Sequence, residues 1–176
     1  MQPSSEFDFD PVLAGPSLRV RPVCDGDVEA LYAVASDPLI WAQHPAKQRS
    51  LRPVFEEWFA DALTQHALVV EELTTARVIG SSRYYNWDSA AREVAIGFTF
   101  ISRDHWGGGT NGELKRLMLD HAFRRADTVW FHVDAANTRS RKAMEKIGGR
   151  YSHTGALSIH GAASADYVFY RIDAPL

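Results

Sequence analysis

The stretch FTFISRDHWGGGTNGELKRLM, residues 98–118, decides how this chain folds. It opens on apolar and β-branched residues that end a strand. It closes on Leu114, Leu117 and Met118, continued by His121 and Ala122 at the i, i+3, i+4, i+7 and i+8 spacing of one helix face. Gly107, Gly108 and Gly109 stand between the two. An ordered glycine costs conformational entropy, and one would serve for a sharp turn. Three in a row strip every side chain from a helix mouth, where unpaired N–H groups and the positive end of the helix dipole lie. Such a mouth suits a phosphate or pyrophosphate.

Two familiar phosphate motifs overlap the stretch. Gly107 and Gly112 have the outer spacing of G-x-x-x-x-G, but Glu113 and Leu114 follow where that chemistry needs Lys and then Ser or Thr. Gly107, Gly109 and Gly112 also match G-x-G-x-x-G, with Asp134 near the expected position of a ribose carboxylate. That fingerprint needs a strand running almost directly into its first glycine, whereas SRDHW separates Ile101 from Gly107. The chain also ends in two strands joined by a short turn and not in further βα crossovers.

Working outward, ALVVEEL (67–73), RVIGSSRYYN (77–86) and REVAIGFTFI (92–101) are strands separated by short turns, the spacing of an antiparallel meander. Ahead of them VLAGPSLRVRPV (12–23) reads as a strand interrupted at Gly15-Pro16. Asp25 is placed to cap a helix with Val28, Leu31, Tyr32 and Ala35 on one face. A second helix fits Val54, Phe55, Trp58, Phe59 and Ala62, and the irregular connection DPLIWAQHPAKQRS (37–50) between them carries Trp41, His44 and Arg49. On the other side come a strand TVWFHVD (128–134), a helix NTRSRKAMEKIGG stopped by Gly148-Gly149, and two strands, RYSHTGALS and ADYVFYRI. The order is β-α-α-β-β-β-α-β-α-β-β, without internal repeat or low-complexity linker. The expectation is one α/β (α+β) domain over residues 12–176, with a mixed, mostly antiparallel sheet flanked by helices, behind a flexible tail at 1–11.

Composition narrows the class. With 176 residues the chain is long enough for one sizeable core and short for two. A formal net charge of −3 argues against bulk nucleic-acid affinity. The single Cys24 cannot form an internal disulfide, which fits a reducing cytosol. The N-terminal residues lack the pattern of a signal peptide, and no apolar run approaches the roughly 20 residues of a membrane span. The histidines and the one cysteine show no metal-ligand spacing. A cytoplasmic protein without metal, membrane or nucleic-acid partner is expected.

The element order and the stretch 98–118 resemble the GCN5-related N-acetyltransferases, in particular the branch that acetylates ribosomal-protein N-termini. In that family a Gln/Arg-x-x-Gly-x-Gly/Ala loop wraps the pyrophosphate of acetyl-coenzyme A. Gly107 and Gly109 occupy the two small-residue positions, and Asp104 stands where Gln or Arg is usual. The second part of the resemblance is VWFHVDAANTRSRKAMEKIGG (129–149), a strand followed by an Asn-x-x-Ser helix start and a closing glycine. The resemblance implies that acetyl-CoA contacts His105, Trp106, Gly107, Gly108, Gly109, Thr110 and Asn111, and that strand 92–101 splays from strand 128–134 to admit the pantetheine arm.

It further implies that the backbone of Thr99, Phe100 and Ile101 pairs with that arm, and the same N–H groups suit an oxyanion. Asn137 would cap its helix and contact pantetheine, Ser140 would give a proton to the departing thiolate, and Lys142, with Arg139 and Arg141, would meet the 3′-phosphate. Met144 stands where many relatives carry a Tyr donor. Glu93 is the candidate base, Ala95 occupying the place where relatives often carry Glu. His44, Arg83 and Tyr85 would line the acceptor side, and His132 would be core or a supporting group. The activity implied is acetyl transfer to a primary amine, on a protein N-terminus or a small molecule, by direct attack in a ternary complex. The alternative is a non-catalytic acyl-CoA sensor, and a homodimer through the last two strands is open.

Overall fold

The β-branched runs on both sides of the glycine loop join one sheet. In the computed structural model, which describes residues 6–157 and 165–175, eight strands pair: β1 (Leu13–Ala14), β2 (Leu18–Pro22), β3 (Leu68–Glu72), β4 (Val78–Asp88), β5 (Glu93–Ile101), β6 (Thr128–Asp134), β7 (Arg150–Leu157) and β8 (Ala165–Asp173). Their spatial order is β1-β2-β3-β4-β5-β6-β8-β7. Neighbours are antiparallel except β5 and β6. The helices are α1 (Val28–Ala35), α2 (Arg52–Thr64), α3 (Thr110–Ala122) and α4 (Thr138–Lys146). The expected order therefore holds, with the first strand divided by the Gly15-Pro16 turn into β1 and β2.

Along β3, Leu68 and Val70 belong to one buried cluster and Val69 to another, so alternation puts a core on each face of the sheet. Leu114 and Met118 of α3 and Met144 of α4 fill the first, with Val94, Ile96 and Phe131. Leu31 of α1 and Phe55, Trp58 and Phe59 of α2 fill the second, with Phe100. Asp27, not Asp25, stands at the N-cap of α1 but makes no side-chain cap bond there; its carboxylate accepts from Cys24 N at 2.8 Å and pairs with Arg21 at 2.7 Å. Asp25 lies in a single 3-10 turn ahead of α1. Of the tail expected at 1–11, residues 1–5 lie outside the described residues. Phe7 is buried, with its ring 5.0 Å from that of Tyr84.

Two irregularities in β5 position everything that follows. Ser81 pairs with Phe100 and Arg83 with Gly97, so β5 carries one residue more than β4 across this step. Within the bulge Phe98 has φ of 53°, a left-handed conformation that is uncommon for a bulky residue. On its other edge, β5 pairs with β6 only through Glu93–Thr128, Val94–Val129 and Ala95–Trp130.

Candidate functional site

Past Ala95 and Trp130 the parallel ladder stops. Beyond it β5 pairs only with β4, and β6 only with β8. The two strands thus present unpaired backbone edges to each other, a geometry that an extended ligand can complete with main-chain hydrogen bonds. Thr99, Phe100 and Ile101 lie on the β5 side of this opening, as the sequence suggested. Gly97 belongs there for steric reasons, because a Cβ on it would lie 2.9 Å from the Tyr85 ring.

The opening leads to the glycine loop. Gly107 has φ of +75°, and Gly109 is the N-cap of α3, so the loop delivers bare backbone to the helix entrance. A Cβ built on Gly107, Gly108, Gly109 or Gly112 would meet nothing within 4 Å. Packing within the chain therefore does not explain these glycines, although the left-handed φ of Gly107 by itself favours glycine there. Thr110 and Asn111 form the first turn of α3. Glu113, which occupies the position a Walker lysine would need, accepts from Ser17 N and Leu18 N at 2.8 and 3.0 Å and ties α3 to the β1–β2 turn. Asp104 is bound to Arg77 at 2.8 Å and to Ser102. Those bonds, that of Ser102 foremost, hold its carboxyl well below the usual carboxylate range. His105 lies between Asp104 and Glu72, at 3.3 and 3.4 Å, and anchors the loop to β3. Trp106 donates its indole N–H to Ile101 O at 2.9 Å, and the Arg139 guanidinium lies 4.1 Å from the centre of its ring.

The entrance of α4 faces the same end of β6. Asn137 is buried and its Oδ1 accepts from Ser140 N at 3.1 Å, which makes it the cap that Asn-x-x-Ser spacing predicts. Ser140 lies partly buried in that first turn, Lys142 is exposed, and Met144 is committed to the core. Thr138 Oγ1 and Arg139 N both donate to Gln43 Oε1, at 3.2 and 3.1 Å, joining this helix to the α1–α2 connection.

Lys115 was missed by the sequence analysis. It is 2% exposed, and its Nζ donates to Thr99 Oγ1 at 2.6 Å, with Thr99 in turn 2.8 Å from Ser82 Oγ. Burial alone pushes its amine down to about 7. The available signal was its spacing: Lys115 precedes Met118 by three and Ala122 by seven residues, inside the apolar stripe of α3.

The opposite face of the opening carries the residues expected on the acceptor side. Arg83 is 2% exposed, lies over Phe98 at 3.6 Å and donates to Asp61 of α2 at 3.1 Å. Tyr85 Oη is 2.8 Å from His132 Nδ1, which joins two residues 47 positions apart. Burial, reinforced by the His153 charge, depresses His132 to about 4, and burial raises the Tyr85 phenol. His44 accepts from Ala46 N at 2.9 Å through Nδ1 and is likewise driven down to about 4, by burial first and then by Arg49 and Arg139. The imidazoles are therefore neutral at pH 7. Glu93 lies where β5 and β6 are still paired, and its carboxylate accepts from Trp130 Nε1 at 2.9 Å. Among the described residues no group of three or more His, Cys, Asp or Glu side chains is placed to hold a metal ion, and no helix is long and apolar enough to cross a membrane.

Comparison with known proteins gives this arrangement a context. A family model described as an acetyltransferase (GNAT) domain matches residues 17–150. No curated protein sequence matches. Among solved structures, a GCN5-related N-acetyltransferase from Brucella melitensis superposes with a TM-score of 0.80 at 17% identity, covering 98% of this chain and 80% of its own. RimJ from Mycobacterium smegmatis, in complex with CoA-disulfide, gives 0.72 at 19% identity over 97% and 89%. Spermidine N-acetyltransferase from Vibrio cholerae, in complex with CoA and spermine, gives 0.68 at 18% identity over 90% and 96%. At these identities the structures are alike in fold.

Proposed function

The chain belongs to the GNAT acetyltransferases, and on that premise we propose that it transfers an acetyl group from acetyl-CoA to a primary amine. The observation that carries the proposal is the continuity of the β5–β6 opening with a glycine loop whose missing side chains no internal contact explains. In this reading the loop and the first turn of α3, Gly107 to Asn111, cradle the pyrophosphate with backbone N–H groups. The pantetheine arm adds to β5 at Thr99–Ile101, beside Asn137. Trp106, with His105 behind it, borders the loop, and Lys142 lies on the solvent side of α4.

The acceptor amine approaches from the face that carries His44, Arg83 and Tyr85. Its nitrogen attacks the thioester carbonyl, the N–C bond forms, and the C–S bond breaks after a tetrahedral intermediate. Backbone N–H groups of the β5 bulge receive the oxyanion charge. The acceptor ammonium gives up one proton to a group on the acceptor side before it attacks as the free amine; as the C–S bond breaks, the new amide nitrogen loses its second proton and Ser140 supplies one to the departing thiolate, regaining it from solvent. Two groups compete to take the ammonium proton: Glu93, the carboxylate at the closed end, and His132, neutral and bonded to Tyr85 at the open end.

The test is the melting temperature with acetyl-CoA, CoA, NAD and ATP, followed by thiol release with a panel of amines. Ligand at 100 times its dissociation constant stabilises by about 2.7 kcal/mol. A rise with the CoA species alone, together with amine-dependent thiol release, is the expected result. A rise without turnover returns the protein to the class of acyl-CoA sensors, and no rise removes the reading altogether.

A further inference from the structure

The connection between α1 and α2 lays a second charged cluster over the bulge of β5. Trp41 and Trp58 both pack on Phe100, with ring centroids 5.2 and 5.4 Å away. The Arg49 guanidinium lies over both indoles, at 5.3 and 5.7 Å. Arg83 reaches the same surface from β4, over Phe98. Arg83 has Asp61. The Arg49 side chain makes no hydrogen bond or ion pair with any described residue, and its Nε is buried without an acceptor.

The Asp61 carboxylate acts on both guanidiniums. They are near enough to oppose each other: burial and then the Arg83 charge push Arg49 down to about 10, with Asp61 the one carboxylate acting on it. The charge of Arg49 also reaches His44, which is neutral and offsets nothing. Leaving a buried charged donor without an acceptor is costly, and the indoles accept none of its N–H bonds. Arginine's planar fork matches a carboxylate in two parallel hydrogen bonds. One unpaired guanidinium balances one negative charge, which suits a carboxylate better than a phosphate dianion.

We infer that Arg49, backed by Arg83, receives a carboxylate of the acceptor, so that the acceptor is a small molecule carrying both an amine and a carboxylate. This rests on the acetyl-transfer reading and narrows its acceptor. A polycation meets the opposite condition, because the Arg49 guanidinium lies where its second ammonium would sit. A Lys or Glu on the enzyme surface would not show this asymmetry, because water would screen it.

The experiment compares matched amines on the full chain at saturating acetyl-CoA: pentylamine, 5-aminopentanoate and 1,5-diaminopentane, with shorter and longer homologues and α-amino acids. Thiol release gives kcat/KM, and calorimetry in the presence of CoA gives binding independent of turnover. The amino-carboxylate is expected to exceed the alkylamine at least tenfold, with the diamine lowest. Arg49→Gln should collapse that ratio toward one through KM, and Arg49→Lys should restore part of it. The acetyl-CoA shift in melting temperature reports that each variant is folded and competent for its coenzyme. Amino-carboxylate binding that depends on Arg49 but without thiol release would keep this inference and sink acetyl transfer. A diamine preferred over the amino-carboxylate, equal losses for all three amines in Arg49→Gln, or neither binding nor turnover of any amino-carboxylate would overturn it.

Discussion

The two sides of the β5–β6 opening are built on opposite principles. On the α3 side the loop at 107–109 has no side chains, and the protein offers backbone N–H groups and a helix end. On the α1–α2 side the surface is made almost entirely of large side chains: Trp41, Trp58, Phe98 and Phe100 under two arginines and two neutral histidines. The first side suits a phosphate-bearing group that a backbone can cradle without recognising anything else. The second can discriminate among acceptors, because aromatic area and buried charge vary with each substitution. In the proposed reading, generic and specific recognition face one another across a single gap in a sheet.

The sharpest way to break this contrast is to put a charge into the side-chain-free loop. A Cβ at Gly108 would meet nothing within 4 Å, so Gly108→Asp should leave the melting temperature of the folded chain within a few degrees. Acetyl-CoA affinity should fall at least 100-fold by calorimetry, since a carboxylate would face the pyrophosphate. Retained affinity would mean that the loop does not hold phosphate.

On the acceptor side, kcat separates the two proton acceptors. General-base catalysis contributes roughly 10²–10⁴-fold. His132→Gln, whose amide can still meet Tyr85, is expected to lower kcat at least tenfold, and Glu93→Gln less than threefold. The reverse ranking assigns the role to Glu93.

Lys115 tests the α3 side through stability. Its amine titrates near 7 in the folded chain against an ordinary 10.5, so the unfolded chain binds more protons between those values. Stability should therefore rise with pH from about 7 to 10.5, with the full penalty present below 7. Lys115→Met should flatten that rise and lift the melting temperature at pH 6 by several degrees. An unchanged pH profile would show that the lysine is not desolvated.

The smallest effect is expected in acid. His44 and His132 stay neutral to about 4 while their unfolded counterparts protonate near 6.5. Their joint contribution should make stability fall as pH drops from 6.5 toward 4, read as urea midpoints. His44→Leu should remove part of that slope and leave the rise attributed to Lys115 untouched.

The glycine loop was legible because a bare helix mouth is written in consecutive residues. So was the Asn137 cap, whose partner is three positions away. The eleven-element order was legible for the same reason: hydrophobic periodicity and turn residues act over a few positions. Lys115 stood inside an apolar stripe, yet its desolvation depends on Thr99, Ser82 and the sheet that α3 covers. Arg49 lay in an irregular connection that carries no periodicity at all. The N-cap of α1 was placed two residues early, because Asp25 lies in a 3-10 turn ahead of the helix and the Asp27 carboxylate is taken by Arg21 of β2.

The sequence by itself determined the elements, their order and the bare glycine entrance to α3, since each follows from local propensity and from backbone groups that every chain carries. Tertiary structure alone decided where the sheet opens, because the Phe98 bulge exists only in the register of β5 against β4. It alone paired Tyr85 with His132 across 47 positions and left the Arg49 Nε buried over two indoles without an acceptor among the described residues. Proximity and desolvation are properties of the folded chain, and the charge states of Arg49, His44 and His132 depend on both.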